Sequence, residues 1–448
     1  MTTNFGLLRD YVTMRNWRAL KQELSHMQEV DIAFFIESLP SDQALTIFRM
    51  LDKDIAAEVF ANLPTDRMQQ LITDISDDEL RSIMSDLMVD DAVDMLEEMP
   101  SNVVKRVLKH TGVQDRQLIN QFLRYPEFSA GSIMTAEFIE LKRQMSVGEA
   151  IGHIRVVGED KETVYTCYVT GQDRTLEGVI TVKTLLLASD EQKISDLMER
   201  DIISVRTNDD QEFVADIFSR YDLLAIPVVD QENRLVGIIT VDDVLDVIEE
   251  ENTEDFEKMS AMTPSDKPYL KTGIFELAKN RIGWLLVLMV SGMITGEILG
   301  YYEAAFAVLP ILVTFIPMLT DTGGNAGSQS STLVIRGMAV NEITTKNLLT
   351  VLWKEIRVSL IVGFILSAVN FIRLMISEDG DWMLALTVSL ALYATVVLAK
   401  TIGGALPIIA KKCKLDPALM AAPLITTIVD ACSLIIYFSI AVSILNIG

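Results

Sequence analysis

The chain has 448 residues, enough for about three domains, and carries 38 Lys+Arg against 63 Asp+Glu, a net charge of −25. An acid excess of that size repels nucleic acid and attracts cations, which excludes nucleic acid as a partner. No HExxH, Walker loop or nucleophile elbow is present, and Cys167, Cys413 and Cys432 have no metal-type spacing, so the sequence does not read as an enzyme. The charge is uneven: residues 1–270 hold 26 basic against 52 acidic residues, and residues 271–448 hold 12 against 11. An acidic soluble assembly therefore precedes a membrane domain. The first residues lack a basic stretch followed by an apolar run, so no cleavable signal is expected.

In chain order, residues 1–128 read as helical. Leu39, Leu51, Leu63, Ile75, Leu87 and Met99 recur every twelve residues, and Pro follows at 40, 64 and 100. Serial Pro-then-helix units of one length predict a small helical superhelix. Over 129–248 strands alternate with helices, and the pattern occurs twice: YTCYVTGQDRTLEGVITVKTLL is echoed by LAIPVVDQENRLVGIITVDDVLDVI. The second copy closely resembles a CBS motif, with a hairpin ending in Gly237, a buried strand, and a helix opened by Asp242 and Asp243. Residues 249–275 are acidic first, broken by Pro264 and Pro268, then basic, and predict a connecting "plug" helix.

Residues 276–448 contain five apolar stretches, at about 282–301, 304–320, 356–376, 383–410 and 418–445, each near the ~20 residues that span a bilayer. Lys271, Lys279, Arg281, Arg336, Lys346, Lys354, Arg357, Lys411, Lys412 and Lys414 fall on one side of a five-span arrangement, and Arg373 on the other. The positive-inside rule then places the N-terminal domains in the cytosol and the C-terminus outside, in the plasma membrane.

Asp430 sits midway along the last stretch. A carboxylate at that depth costs several kcal/mol, ~2.5–3.5 on insertion scales, and survives by facing water, an ion or a partner charge. Thr426 and Ala422 share its helical face, which is small and polar, and Pro423 one turn away would free a backbone carbonyl. The segment after the second stretch, TDTGGNAGSQSS, predicts a Gly-rich break in which Gly323, Gly324 and Asn325 offer oxygens to an ion. GxxxGxxxG at Gly292, Gly296 and Gly300 suggests close helix packing, within or between subunits. An oxygen-only donor set with few charges suits a hard cation that keeps its water, Mg2+ above Ca2+, and leaves Mn2+ and Co2+ open.

The whole chain resembles the MgtE family of magnesium channels, most specifically in TGGNAGSQSSTLVIRG (322–337), DPALMAAPLITTIVD (416–430) and VDDVLDVIEEENTEDFEK (241–258). The resemblance implies a multidomain α and α/β architecture: helical superhelical N domain, tandem CBS pair, plug helix and five-helix transmembrane domain. It implies a homodimer with one pore on the two-fold axis, with Asp430 binding the hydrated ion. It further implies that cytosolic Mg2+ screens acidic groups and shuts the pore. The matching carboxylates are Glu58, Asp90 and Asp94; Asp210, Glu212, Asp222, Asp243 and Asp246; and Glu251, Glu254 and Asp255.

Two positions depart from the family pattern. Ala422 stands where an Asn is frequent, and Lys183-Thr184 replaces an Arg-Asp that usually contacts nucleotide, which leaves ATP binding open, with Tyr168 as the ring that would stack on a base. The reading is a Mg2+ importer driven by membrane potential and gated by cytosolic Mg2+. A secondary transporter coupled to H+ or Na+, or a sensor that transports nothing, are the alternatives.

Overall fold

A computed structural model describes residues 5–97, 99–265, 269–378 and 380–446. The chain forms two compact units, residues 1–248 and 249–448.

In the first unit, short helices follow one another from Phe5 to Phe122. Pro40, Pro64 and Pro100 occupy the N-cap positions of helices Ser41–Phe48, Thr65–Asp74 and Ser101–His110, each in an extended conformation that the ring favours and that starts a new helix. Ser76 does the same work by a capping box, accepting from the Glu79 amide while Glu79 accepts from the Ser76 amide at 2.7 Å. Leu39, Leu63, Ile75 and Met99 are buried, and Leu51 and Leu87 pack against the same core. Every second helix stacks: Glu29–Glu37 on Lys53–Ala61, that on Asp77–Asp86, and that on Ser101–His110. The twelve-residue repeat thus builds a superhelix. Arginines staple its turns: Arg67 donates to the carbonyls of Glu37 and Leu39 at 2.8 and 2.9 Å, and Arg106 to that of Ile75 at 2.7 Å.

Two three-stranded sheets follow: β1 (Ile139–Lys142), β2 (Thr166–Thr170) and β3 (Leu176–Thr181), then β4 (Val205–Arg206), β5 (Ala225–Val229) and β6 (Leu235–Thr240). In each, the first strand pairs parallel with the second and the second antiparallel with the third, and both hairpins carry a bulge at the matching place, Val169/Thr170 and Val228/Val229. The internal duplication is therefore real. Phe138, Tyr168, Leu176, Val229, Leu235 and Ile238 come from both halves and form one shared core. Gly237 lies within β6 opposite Val228 rather than at the hairpin's end. A Cβ there would come within 2.7 Å of the Thr135 carbonyl, a backbone approach that only glycine permits. The helix after β6 runs unbroken from Val241 to Met259. The connecting element is thus a continuation of the second half's last helix, not a separate helix over 249–275. Residues 260–265 and 269–273 are not helical, and Pro264 lies among them; Pro268 lies outside the described residues.

In the second unit, four helical stretches are long and apolar enough to cross a membrane by length and composition: Ile274–Tyr301, Thr345–Ser377, Trp382–Lys412 and Pro417–Leu445. A fifth long helix, Ile316–Ala339, packs against the last two of these. In chain order they are called here the first (Ile274–Tyr301), second (Ile316–Ala339), third (Leu348–Ser377), fourth (Trp382–Lys412) and fifth (Ala422–Leu445) helices.

The second helix corrects the sequence reading. The expected span 304–320 is a short helix, a 3-10 turn (Pro310–Phe315) and only the start of the long helix, and the expected Gly-rich break is helical throughout. Packing explains why. A Cβ on Gly323 would meet Thr395 and Val429 at 2.7 and 2.9 Å, and one on Gly327 would meet Ile425 at 2.7 Å. Glycine costs a helix ~1 kcal/mol per residue relative to alanine, and here that cost is offset by contact of the second helix with both the fourth and the fifth.

Candidate ion path and acidic junction

Asp430 lies on the fifth helix, half-buried, one turn beyond half-buried Thr426, while Ile425 and Val429 point into the core. Ala422 and Pro423 are the first two residues of that helix. Proline is tolerated there because the first turn has no intrahelical N–H bond to lose. Pro423 therefore frees no carbonyl in mid-span; its own oxygen accepts from the hydroxyls of Thr426 and Thr427, each at 2.9 Å.

The second helix brings the other wall. Gly323 and Gly324 are buried packing positions, with Gly324 against Thr426, and their carbonyls belong to the helix, so they do not act as the backbone ligands expected. Asn325 is exposed. It belongs to a stripe of exposed residues at helical spacing: Pro317, Asp321, Asn325, Gln329, Thr332, Leu333 and Arg336. A run of exposed polar side chains from 321 to 332 on a helix of a membrane bundle suits lipid poorly and fits a water-filled lumen. Asp321 is close enough for its charge to act on Asp430.

A buried polar network braces this wall from behind. Lys400, 5% exposed on the fourth helix, donates to Gln329 Oε1 and Ser330 Oγ at 3.4 Å and to the Ala326 carbonyl at 3.5 Å. Ser330 Oγ in turn donates to Glu355 Oε2 at 2.5 Å. Asp321, Lys400 and Glu355 were missed in the sequence, although a lone lysine inside the apolar run 383–410 is a readable signal.

In the first unit, acidic residues from the superhelix and both sheet-bearing halves converge. Asp90 is only 8% exposed, and its Oδ1 is buried without a hydrogen-bond partner. Burial, then the charges of Asp91, Asp243, Glu162 and Glu137, push its carboxyl well above the usual range. Burial and Glu58, Asp243, Asp242 and Glu137 hold Asp91 at about 6. Burial with Asp242, Asp243, Asp91 and Glu58 holds Glu162 at about 7. Glu58 is raised by burial and then Glu29. Asp243 is raised by burial even though the Thr240 hydroxyl donates to it at 2.6 Å, and Asp242 and Asp246 add to the rise.

Of the carboxylates expected here, Glu58, Asp90 and Asp243 meet, and Asp246 acts on Asp243 from the next helical turn. Asp94 is exposed one turn from Asp90. Asp91, Glu137, Glu162 and Asp242 join them: Asp91 and Asp242 sit beside Asp90 and Asp243, whereas Glu137 and Glu162 come from distant segments that no sequence spacing links to the others. Asp210 and Glu212 belong elsewhere: Asp210 caps the helix Gln211–Tyr221, accepting from the Glu212 amide at 2.9 Å, and Asp222 terminates that helix with φ 52°. An eleven-residue helix is about 16 Å long, so this structure does not bring Asp222 together with the other two. Among the described residues no three acidic, His or Cys side chains are arranged as a ready-made metal cage. The junction is a set of crowded charges rather than a preformed inner-sphere site.

In the second unit, Glu251, Glu254 and Asp255 line the end of helix Val241–Met259. Lys258 bridges Glu254 Oε1 and Asp416 Oδ2, both at 2.7 Å, and the Asp416 carboxylate also caps the turn that leads into the fifth helix, accepting from the Ala418 amide at 2.8 Å. Burial, then Asp416, raises the Asp255 carboxyl.

Tyr168, expected to stack on a base, is fully buried. Its ring meets Phe138 edge-on at 6.0 Å, and neither face is open to a ligand in this packing.

Family models match three segments: an MgtE divalent cation transporter domain over 316–440, an MgtE intracellular N domain over 27–128, and a CBS domain over 194–250. Together with the helical bundle of the second unit, these define a multi-pass divalent cation transporter. The chain is 32% identical over 448 residues to the magnesium transporter MgtE of Bacillus subtilis, covering 100% of this chain and 99% of that one. It is 35% identical over 351 residues to that of Thermus thermophilus, covering 78% of each. Its fold is similar to the crystal structure of the cytosolic domain of the Mg2+ channel MgtE in complex with ATP, at TM-score 0.51 and 32% identity over 54% of this chain and 98% of that one. The chain belongs to the MgtE family of magnesium transporters, and is a transporter rather than an enzyme.

Proposed function

We propose that the protein carries Mg2+ into the cell through a water-filled path between the second and fifth helices, with Asp430 holding the ion through its hydration shell. The observation that carries this reading is the exposed polar stripe of the second helix lying beside the Asp430 face of the fifth. Exposed polar side chains on a membrane helix need water, and one side of the lumen is left to a second copy of the chain, so the path belongs to a homodimer. Entry needs no coupling ion: at ~2.3 kcal/mol per charge per 100 mV, a divalent ion gains roughly twice that. The N-terminal unit then faces the cytosol and the C-terminus the outside of the plasma membrane.

Mg2+ at the acidic junction acts as the closing signal. Crowded, partly desolvated carboxylates repel one another, and a divalent cation between them reverses the sign of the interaction. The solved relative was crystallised with ATP, but a nucleotide on this chain would need a surface other than the Tyr168 ring.

The test is Mg2+ uptake into liposomes at fixed voltage. Asp430→Ala should abolish it while the protein stays monodisperse; undiminished uptake would refute the assigned path.

A further inference from the structure

Asp430 is not the only carboxylate on the proposed path. Asp321 follows Pro317 on the exposed stripe of the second helix, one turn before Asn325, on the stretch 321–332 in which every exposed side chain is polar. The packing fixes its height. Gly323 lies against Val429 and Ser433, and Gly327 against Ile425 and Val429, so the two helices run antiparallel. Two residues before Gly323, Asp321 therefore stands at the level of Asp430 or just beyond it, toward the C-terminal end of the fifth helix. Its charge reaches Asp430.

We propose that Asp321 is a second ion-selecting carboxylate of the transport path, placed between Asp430 and the outer mouth, where it sets the affinity for incoming divalent cations and their preference over monovalent ones. The inference rests on the proposed path between the second and fifth helices. Two carboxylates at neighbouring heights favour a doubly charged ion over a singly charged one, because the attraction scales with ionic charge while the cost of bringing the two acids together is shared. Among the described contacts Asp321 makes no side-chain hydrogen bond or salt bridge that would explain its place.

A divalent ion held through its water shell, roughly twice the distance of a direct contact, keeps about the attraction a monovalent ion has in direct contact, a factor of roughly five in occupancy per carboxylate in water. The experiment is Mg2+ uptake into liposomes by the full chain, at fixed voltage and low ionic strength, over a range of external Mg2+. Asp321→Asn should raise the half-saturating Mg2+ about five-fold or more, with the maximal rate changed less. The shift should shrink as monovalent salt screens the site. Asp321→Glu, which keeps the charge, should stay near wild type. An Asp321→Asn protein that saturates like wild type, while Asp430→Ala abolishes uptake, would overturn the role of Asp321 and leave the path standing. Unchanged uptake in both variants would overturn the path itself. Loss of uptake in Asp321→Glu as well as in Asp321→Asn would assign the residue to packing rather than selection, and would also overturn the proposal.

Discussion

Replacing Asp91 by Asn should stabilise the protein without Mg2+ and weaken its response to Mg2+. The Asp91 carboxyl is pushed up to about 6 from an ordinary 3.8, first by burial and then by Glu58, Asp243, Asp242 and Glu137. A raised carboxyl binds its proton more tightly folded than unfolded, so its contribution is unfavourable above about pH 6 and fades as pH falls toward the ordinary value. Raising the carboxyl from 3.8 to about 6 corresponds to roughly 3 kcal/mol at neutral pH. Asparagine removes that charge while keeping the shape, so up to about that much should be recovered. Spread over a unit of this size, at ~2–4 °C per kcal/mol, it amounts to a rise of several degrees in melting temperature. The assay is thermal unfolding of the detergent-solubilised full chain at pH 7.5, with chelator and with 10 mM Mg2+. Wild type should gain a large increment from Mg2+ and Asp91→Asn a smaller one from a higher starting point, because a donor has been lost. An Asn variant that melts no higher than wild type in chelator, and gains as much from Mg2+, would refute the claim that this junction stores electrostatic repulsion.

Three further outcomes follow from the same contacts. In chelator, the wild-type melting temperature should rise as pH falls from 8 to 6, since Glu162 at about 7 and Asp91 at about 6 take up protons there; a pH-independent melt would contradict the raised carboxyls. Gly403→Ala should destabilise the bundle by ~1–3 kcal/mol, because its Cβ would run into the backbone carbonyl of Gly327, whereas Gly292→Ala, with nothing within 4 Å, should be neutral; both are read by melting temperature. Lys258→Met should leave Asp255 and Asp416 facing each other uncompensated. Cysteines placed across the linker helix and the turn before the fifth helix should then cross-link only when Mg2+ is present, whereas cross-linking that ignores Mg2+ would count against the bridge.

The superhelix was legible because a twelve-residue repeat with Pro at its boundaries is a local signal. So was the duplicated α/β pattern, because the two halves differ little in spacing. The Gly-rich stretch misled for a physical reason: glycine weakens an isolated helix, and only the tight approach of Gly323 to Val429 and of Gly327 to Ile425 reveals that it is there for packing. Pro423 misled in the same way, since its effect depends on whether it falls in the first turn or the interior of the helix. Asp430 could be singled out because it interrupts an apolar run. Asp321 could not, because it sits in a polar stretch where one more acid looks ordinary. The acidic junction was half legible: Glu58, Asp90 and Asp243 were named by resemblance, but Glu137 and Glu162 join them only through folding of distant segments. Tyr168 was named as a ring that would stack on a base, and its burial between the two halves is a tertiary fact that alternation along β2 does not disclose.

The central claim is that an oxygen-lined path conducts Mg2+ and that the acidic junction closes it. The direct measurement is Mg2+ flux at set voltage into liposomes carrying the full chain, with Mg2+ on the face of the N-terminal unit stepped from micromolar to ten millimolar. Flux that shuts off over the millimolar range, with the shut-off weakened in Asp91→Asn, is the predicted result. Flux indifferent to that Mg2+ would contradict the gating account, and no flux at all would contradict the path.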